Sequence, residues 1–303
     1  MARMLVDTSY LYFRAFHGFP DTLRSPDGRP NNAVRGILDF LTRLITDFQP
    51  DDVICAWDAD WRPQWRVDLL DTYKTHRVAA EVPGGTAEEE APDDLGIQVP
   101  WIREALTALG LPVIGIAEHE ADDVIGTLAS TATDGAMVVT GDRDLIQLVD
   151  DARRVEVIWV GGGMSKIERI DEAWVQNKYG VPANRYLDLA ALRGAPSDGL
   201  PGVKGIGEKT AASLLERHGD LDGIRAAAAD PASDLKPAQR TRIIEADDYL
   251  SRVMPVIQVV RDLAIDEPRT KPVDVDAFAE LTERLGLGSS AERILAALGE
   301  PNQ

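Results

Sequence analysis

Three apolar runs that each end in an acid set the frame for this chain. Met4-Leu5-Val6 runs into Asp7, and Val53-Ile54-Cys55-Ala56-Trp57 runs into Asp58. Ala136-Met137-Val138-Val139-Thr140-Gly141 runs into Asp142, with Asp144 close behind. The runs read as strands. Between the first two, Val34, Ile37, Leu38, Leu41, Leu44, Ile45 and Phe48 recur at helical spacing. Strands alternating with helices predict an α/β fold, a mostly parallel twisted sheet flanked by helices. Ligands of such sheets bind beyond the carboxyl ends of the strands, where Asp7, Asp58 and Asp142 fall.

The pattern predicts strands at 4–7, 53–57, 112–116, 136–140 and 155–160, and helices at 9–18, 33–48, 62–77, 98–109, 120–131 and 143–150. The stretch 79–96, rich in Pro, Gly and Glu, reads as loop. Beyond 165 the pattern turns helical, with no strand until 256–260, and 225–238 reads as a surface connection. A boundary near 190 divides a core of 1–190 from a helical region of 191–303.

A lone aspartate at a strand end is more often a helix cap or turn former than a ligand. Here three such acids accompany Glu120-Ala121-Asp122-Asp123 at the start of a helix. Carboxylates repel one another and resist desolvation, so their repeated placement at one end of a sheet points to a divalent cation. The single cysteine, Cys55, excludes a disulfide framework and a cysteine-based zinc site. No apolar run is long enough to span a membrane and the N-terminus is not a signal peptide, so a cytoplasmic location is expected. The net charge of −19 by itself argues against nucleic acid. However, basic residues cluster at 62–77 and 201–218, and an acid-built metal site inflates the formal negative charge.

The segment Leu200-Pro201-Gly202-Val203-Lys204-Gly205-Ile206-Gly207-Glu208-Lys209-Thr210-Ala211-Ala212 carries the second signal. A glycine turn leading into a helix, with lysines beside it, suits a phosphate oxygen. It lacks the Walker spacing and fits a helix–hairpin–helix that grips a nucleic-acid backbone without reading bases. The plain alternative is a simple connection between two helices.

Together these stretches resemble the bacterial 5′-nuclease family: flap endonucleases and the 5′→3′ exonuclease domain of DNA polymerase I, here in a stand-alone form. Further matching stretches are Phe13-Arg14-Ala15-Phe16-His17, Trp65-Arg66, Tyr73-Lys74-Thr75-His76-Arg77, Glu120 to Ala129 and Thr140 to Val149. The resemblance implies a nuclease core with a helical arch at about 62–96 and a hairpin at about 200–218. It implies a first metal site of Asp7, Asp58, Glu120 and Asp122. The second would comprise Asp142, Asp144 and Asp198, with Asp122 shared or Asp123 in the outer shell. Oxygen ligands suit two Mg²⁺ or Mn²⁺ ions, and Lys74, Arg77 and Asp122 would act in catalysis. DNA contacts would come from Arg14, Arg66, Tyr73, Lys74, Arg77, Lys204, Gly205, Gly207, Lys209 and Thr210, and K⁺ would sit at the backbone of Val203 and Ile206. The implied role is a structure-dependent 5′→3′ exonuclease or flap endonuclease in replication or repair. The implied partner is duplex DNA with a 5′ flap, nick or 5′ overhang, bound by a monomer at the nucleoid.

Two positions depart from the family pattern. Ala195 stands where the family carries an acid near the second metal, and Gly199 replaces an asparagine. These departures imply a weaker second site and a shift towards Mn²⁺. They also support the alternative of a DNA-binding paralogue with weakened catalysis; a PIN-type ribonuclease is disfavoured by the hairpin. Trp61, Trp65 and Tyr73 are candidates either for stacking on unpaired bases or for the core.

Overall fold

The computed structural model describes residues 3–80, 88–89, 91–266 and 268–299. The strands are β1 (Arg3–Asp7), β2 (Val53–Ala56), β3 (Val78–Ala80), β4 (Glu88–Glu89), β5 (Val113–Ile114), β6 (Ala136–Thr140), β7 (Val155–Trp159) and β8 (Glu168–Ile170). The first helices are α1 (Thr8–Gly18), α2 (Asn32–Phe48), α3 (Gln64–Leu69), α4 (Asp93–Gly96), α5 (Gln98–Ala108), α6 (Ala121–Thr131) and α7 (Glu172–Tyr179). The remainder are α8 (Tyr186–Arg193), α9 (Glu208–His218), α10 (Leu221–Ala229), α11 (Pro237–Glu245), α12 (Asp247–Ile257), α13 (Val275–Leu285) and α14 (Ser289–Ala297).

Six strands form one sheet in the order β5-β2-β1-β6-β7-β8, and its neighbours are parallel except for β7 and β8. The chain leaves β1 to build β2 and β5 on one side, then crosses to build β6 and β7 on the other. The crevice beyond the end of β1 is therefore the switch point at which such sheets take ligands. Alternation divides the core between the two faces. Met4, Val6, Cys55 and Val139 face the cluster under α2, where Ile37, Leu38, Leu41 and Leu44 are buried. Leu5, Ile54 and Val138 face the opposite cluster, shared with α6, α8 and α12. Strands buried on both faces read as unbroken apolar runs, which is why these are visible in the sequence.

The mostly parallel sheet with flanking helices is as expected, with local differences. The stretch 62–77 is helical only in α3 and in a single 3₁₀ turn at Thr75–Arg77. In place of a continuous helical arch, Val78–Ala80 pairs antiparallel with Glu88–Glu89. Within the loop expected at 79–96, Asp93–Gly96 instead form α4, while residues 81–87 and 90 lie outside the described residues. Strand β8 has no counterpart among the expected strands: as an exposed antiparallel edge, Glu168-Arg169-Ile170 has little apolar pattern to show. The strand expected at 256–260 is absent. There α12 ends, and an extended, partly buried segment follows whose amides find side chains rather than a neighbouring strand. Val259 N–H donates to Gln147 Oε1 at 3.1 Å, and Val260 N–H to Asp123 Oδ1 at 2.8 Å. An apolar stretch looks the same in sequence whether a ladder or side chains satisfy its backbone. The connection placed at 225–238 is shorter, because α10 runs to Ala229 and α11 starts at Pro237.

The region 191–303 does not stay together as one helical body. After α12 the chain returns to the sheet unit, where α13 lies against α5 and α14 against α2. Phe278, Leu281, Leu285 and Ile294 join the core on that face, and Asn31 Nδ2 donates to the Leu285 carbonyl at 2.6 Å. Among the described residues no helix is long and apolar enough to cross a membrane.

Candidate active site

A cleft of about 810 Å³ opens at the switch point, lined by Asp7, Asp58, Glu120, Asp122, Asp142 and Asp144, with Lys74 and Arg77 on its wall. The acids come from four separate stretches of chain, and local hydrogen bonds place them. Asp7 caps α1 by accepting the Tyr10 N–H at 3.1 Å, and its other oxygen accepts the Thr140 hydroxyl at 2.7 Å. Asp142 accepts the Asp144 N–H at 2.9 Å. Asp58 accepts the Ala121 N–H at 2.7 Å, capping α6 from outside its own segment. The capping role expected of strand-end aspartates is thus real, and it is also what aims the remaining carboxylate surface into the cleft.

The electrostatics of this wall are unfavourable without a cation. Burial, then the charge of Asp58, pushes Asp7 up to about 7. Asp122 is held well above the ordinary carboxylate range by burial, then by Asp142 and Asp7. Asp144 is also held well above it by burial and then Asp142, and Asp198 is raised for the same reasons. Burial leads the rise at Asp58. Glu120 goes the other way: burial pushes it up, but Lys74 and Arg66 outweigh that and hold it low. These acids are strung along the wall, and among the described residues no three are gathered closely enough to hold an ion as they stand. The chemistry of the donors nevertheless fits a hard divalent cation: all are oxygens, most are partly desolvated, and they repel one another.

The shifts carry a sign. A carboxyl raised in the folded protein favours folding while protonated. The contribution of Asp7 is therefore fully present below its unfolded value near 3.8 and is lost as pH rises through about 7. In the presence of a chelator, thermal unfolding should show the cleft's contribution falling between those pH values. Mg²⁺ or Mn²⁺ should restore stability most at the upper end. A chelated protein whose melting point is unmoved by divalent ions at about pH 7.5, above the raised value of Asp7, would contradict this.

Lys74 anchors Glu120 within the first group of acids. Its Nζ pairs with Glu120 Oε2 and also donates to the Trp61 carbonyl at 3.2 Å. Its backbone sits in the left-handed region at φ 49°, and its N–H donates to the Asp198 carbonyl at 2.9 Å. Arg77 donates to the Ser197 carbonyl at 3.0 Å and reaches Asp198 Oδ1 at 3.4 Å. The 74–77 segment is thus bolted to the turn at 196–199. That turn requires glycine at 199, where φ is +72° and a Cβ would stand 2.2 Å from the Thr72 carbonyl oxygen. The departure at Gly199 is therefore a packing requirement of this chain. Ala195 lines the cleft with no polar atom on its side chain, and its backbone bridges to Leu200 at 3.0 Å in both directions.

Three expected site residues do something else. Arg66 is 2% exposed and cannot reach DNA. Its guanidinium bonds Asp123 through Nη1 at 3.0 Å and Nη2 at 2.7 Å, Glu120 at 2.8 Å and the Val256 carbonyl at 3.0 Å. Asp123 is accordingly fully buried and engaged by Arg66 and Val260, so it faces away from the cleft. Tyr73 is also buried, and its hydroxyl donates to Glu120 Oε1 at 2.7 Å. It therefore belongs to the core and not to a base-stacking surface. Trp65 covers this arrangement, with the Arg66 guanidinium 4.5 Å from its ring centre. Alternating cationic and aromatic residues look alike in sequence whether they face DNA or a buried acid; only the position of Glu120 and Asp123 decides.

Asp198 is buried beside Arg77. Arg14, on α1, lies in an adjoining groove with Phe13, His17 and Phe40. Val203 and Ile206 are buried in the hairpin, and the Ile206 N–H donates to the Val203 carbonyl at 2.9 Å. Lys204, Gly205, Gly207 and Lys209 all lie on the hairpin turn or the first turn of α9, and all four are exposed. Among the cleft residues that the sequence reading does not name as site residues are two arginines. Arg143 lies between two of the acids, and Arg193 pairs with Glu208 at 2.9 Å. The position of Arg143 between Asp142 and Asp144 is a usable signal; nothing near Arg193 is.

The family profile described as "5′-3′ exonuclease, N-terminal resolvase-like domain" matches residues 2–180, and that described as "5′-3′ exonuclease, C-terminal SAM fold" matches 181–277. A 5′-3′ exonuclease of Streptomyces coelicolor is 52% identical over 97% of this chain and 99% of its own length. One from Mycobacterium tuberculosis is 45% identical over 97% of both. Among solved structures, the bacteriophage T5 D15 flap endonuclease, in a pseudo-enzyme-product complex with DNA and metal ions, superposes with a TM-score of 0.65. The superposition covers 99% of this chain and 100% of that one at 19% identity, a likeness of fold.

Proposed function

Since this chain belongs to the 5′-3′ exonuclease family, we propose that it hydrolyses DNA phosphodiester bonds at 5′ ends and flap junctions with the help of divalent metal ions. The observation that carries this reading is one cleft lined by mutually repelling carboxylates from four chain segments, with Lys74 and Arg77 on its wall. Asp7, Asp58, Glu120 and Asp122 would hold one ion, and Asp142, Asp144 and Asp198 a second. Bound Mg²⁺ or Mn²⁺ supplies charge neutralisation at the phosphate and a more acidic water.

The remaining work falls to the chain itself. Lys74 and Arg77 place fixed positive charge beside the acids, where a scissile phosphate would develop negative charge. Arg66 and Tyr73 hold Glu120 in place without touching substrate. The hairpin at 203–210 offers backbone and two lysines to a phosphate away from the cleft, with K⁺ as its proposed ion at Val203 and Ile206. T5 D15 is described with DNA and metal ions, which supports duplex DNA and metals as the ligands here.

The wall at Ala195 favours a second reading, in which the acids around Asp142 and Asp144 hold their ion weakly. One experiment addresses both readings: cleavage of a labelled 5′-flap duplex over a Mg²⁺ and Mn²⁺ titration, for the wild type and Ala195→Asp. Cleavage by the wild type that a chelator abolishes supports the nuclease. A drop of about tenfold or more in the Mg²⁺ concentration that A195D requires would support the weakened second site. A wild type inert with both ions would leave the binding paralogue as the better account.

A further inference from the structure

The hairpin's cationic surface includes a residue far from it in sequence. Gly205 sits at φ +70°, and a Cβ there would lie 2.2 Å from Arg242 Nη1, 2.8 Å from its Cζ and 3.4 Å from its Nη2. The guanidinium of Arg242, from α11, is thus laid against the backbone of the glycine turn, and the lack of a side chain at 205 is what admits it. We propose that Arg242 is a DNA-backbone-binding residue that completes the hairpin's phosphate grip together with Lys204 and Lys209.

Three observations support this. The chain carries 51 acids against 32 lysines and arginines, and most of the arginines around the hairpin are paired: Arg185, Arg193, Arg217, Arg225 and Arg252 all have carboxylates in the same half of the chain. Arg242, Lys204 and Lys209 have no ion-pair or side-chain hydrogen-bond partner among the described residues. In so acidic a protein, cations without partners keep their charge available to a phosphate. Glu208, at the start of α9 beside Lys209, is drawn off by Arg193 at 2.9 Å. Finally, α9, which follows the glycine turn, has no side-chain cap at Gly207. A planar guanidinium presents paired donors suited to two oxygens of one phosphate.

The inference rests on the reading of the chain as a DNA-binding nuclease, and the test separates the two. Binding of a fluorescent 5′-flap duplex to the full chain would be followed by anisotropy in a chelator, at several salt concentrations, for the wild type, R242A, R242Q, R242K and K204A. R242A and R242Q should bind about tenfold more weakly, as expected when one charge-assisted hydrogen bond is removed. The slope of log affinity against log salt should fall by about 0.9, the change expected when the protein neutralises one phosphate fewer. R242K should recover the slope but not all the affinity. Thermal unfolding matched to wild type in R242Q guards against a folding effect. If the wild type binds, K204A weakens it, and R242A and R242Q keep wild-type affinity and slope, the assignment of Arg242 is overturned while the nuclease reading stands. If the wild type does not bind DNA at all, both fall.

Discussion

Replacing Asp122 with asparagine should sharply reduce flap cleavage and, without metal, make the protein more stable. Asp122 stands between the two groups of acids, raised by burial and by the charges of Asp142 and Asp7. Asparagine keeps its shape and removes its charge. The loss of rate should be on the order of 10²–10³-fold, the size seen when one electrostatic interaction with a transition state is removed. In a chelator the variant should melt higher than the wild type at about pH 7.5, because a like charge has left a crowded wall. The two readouts move in opposite directions, so a general folding defect cannot imitate the result. D122N retaining a tenth of wild-type cleavage, or melting lower in chelator, would show that Asp122 does not sit at the centre of the site.

Arg66→Met should be the most destabilising single change near the site. Arg66 is the only described cation bonded to Asp123, which is fully buried, and it also holds Glu120. Removing one partner of a buried ion network leaves uncompensated charge, at a cost of about 3–5 kcal/mol. The penalty has a pH sign. Against the upward push of burial, Lys74 and Arg66 hold Glu120 below its ordinary value of 4.5, so its contribution is present above that pH and lost as pH falls through the lowered value. The gap between the wild type and R66M should therefore widen from acidic to neutral pH, measured by urea unfolding. The double variant R66M with Asp123→Asn should recover part of the loss, since no charge is then left unpaired at 123. A pH-independent deficit below about 1 kcal/mol would place Arg66 outside the network.

Arg66 marks the limit of what residue order conveys. Tyr73, Arg66 and Trp65 lie in a basic and aromatic stretch that reads naturally as a nucleic-acid surface, yet Arg66 and Tyr73 are buried among the acids of α6. Composition cannot say which way such a stretch faces, because burial of an arginine depends on whether a distant carboxylate meets it. Asp123 is kept from lining the cleft for the complementary reason. Adjacent residues on a helix point in different directions, and the turn that sends Asp122 into the cleft sends Asp123 into the core.

Other elements are legible because their cause is local. The apolar run into Asp7 needs no partner to be read as a buried strand, and the glycine turn at 205–207 announces itself by residue type. The segment after α12 reads as a strand but is not one, because its backbone bonds end on Gln147 and Asp123, residues more than a hundred positions away.

Short-range periodicity and turn chemistry dictate the order of strands and helices, the acids at the strand ends and the hairpin, and all of these can be read from residue order. Long-range packing dictates which acids share a cleft, that Arg66 serves Glu120 and Asp123 rather than DNA, that Gly199 is demanded by Thr72, and that Arg242 joins the hairpin. Those outcomes depend on residues distant in the chain, where desolvation and charge pairing set the result and spacing carries no record of them.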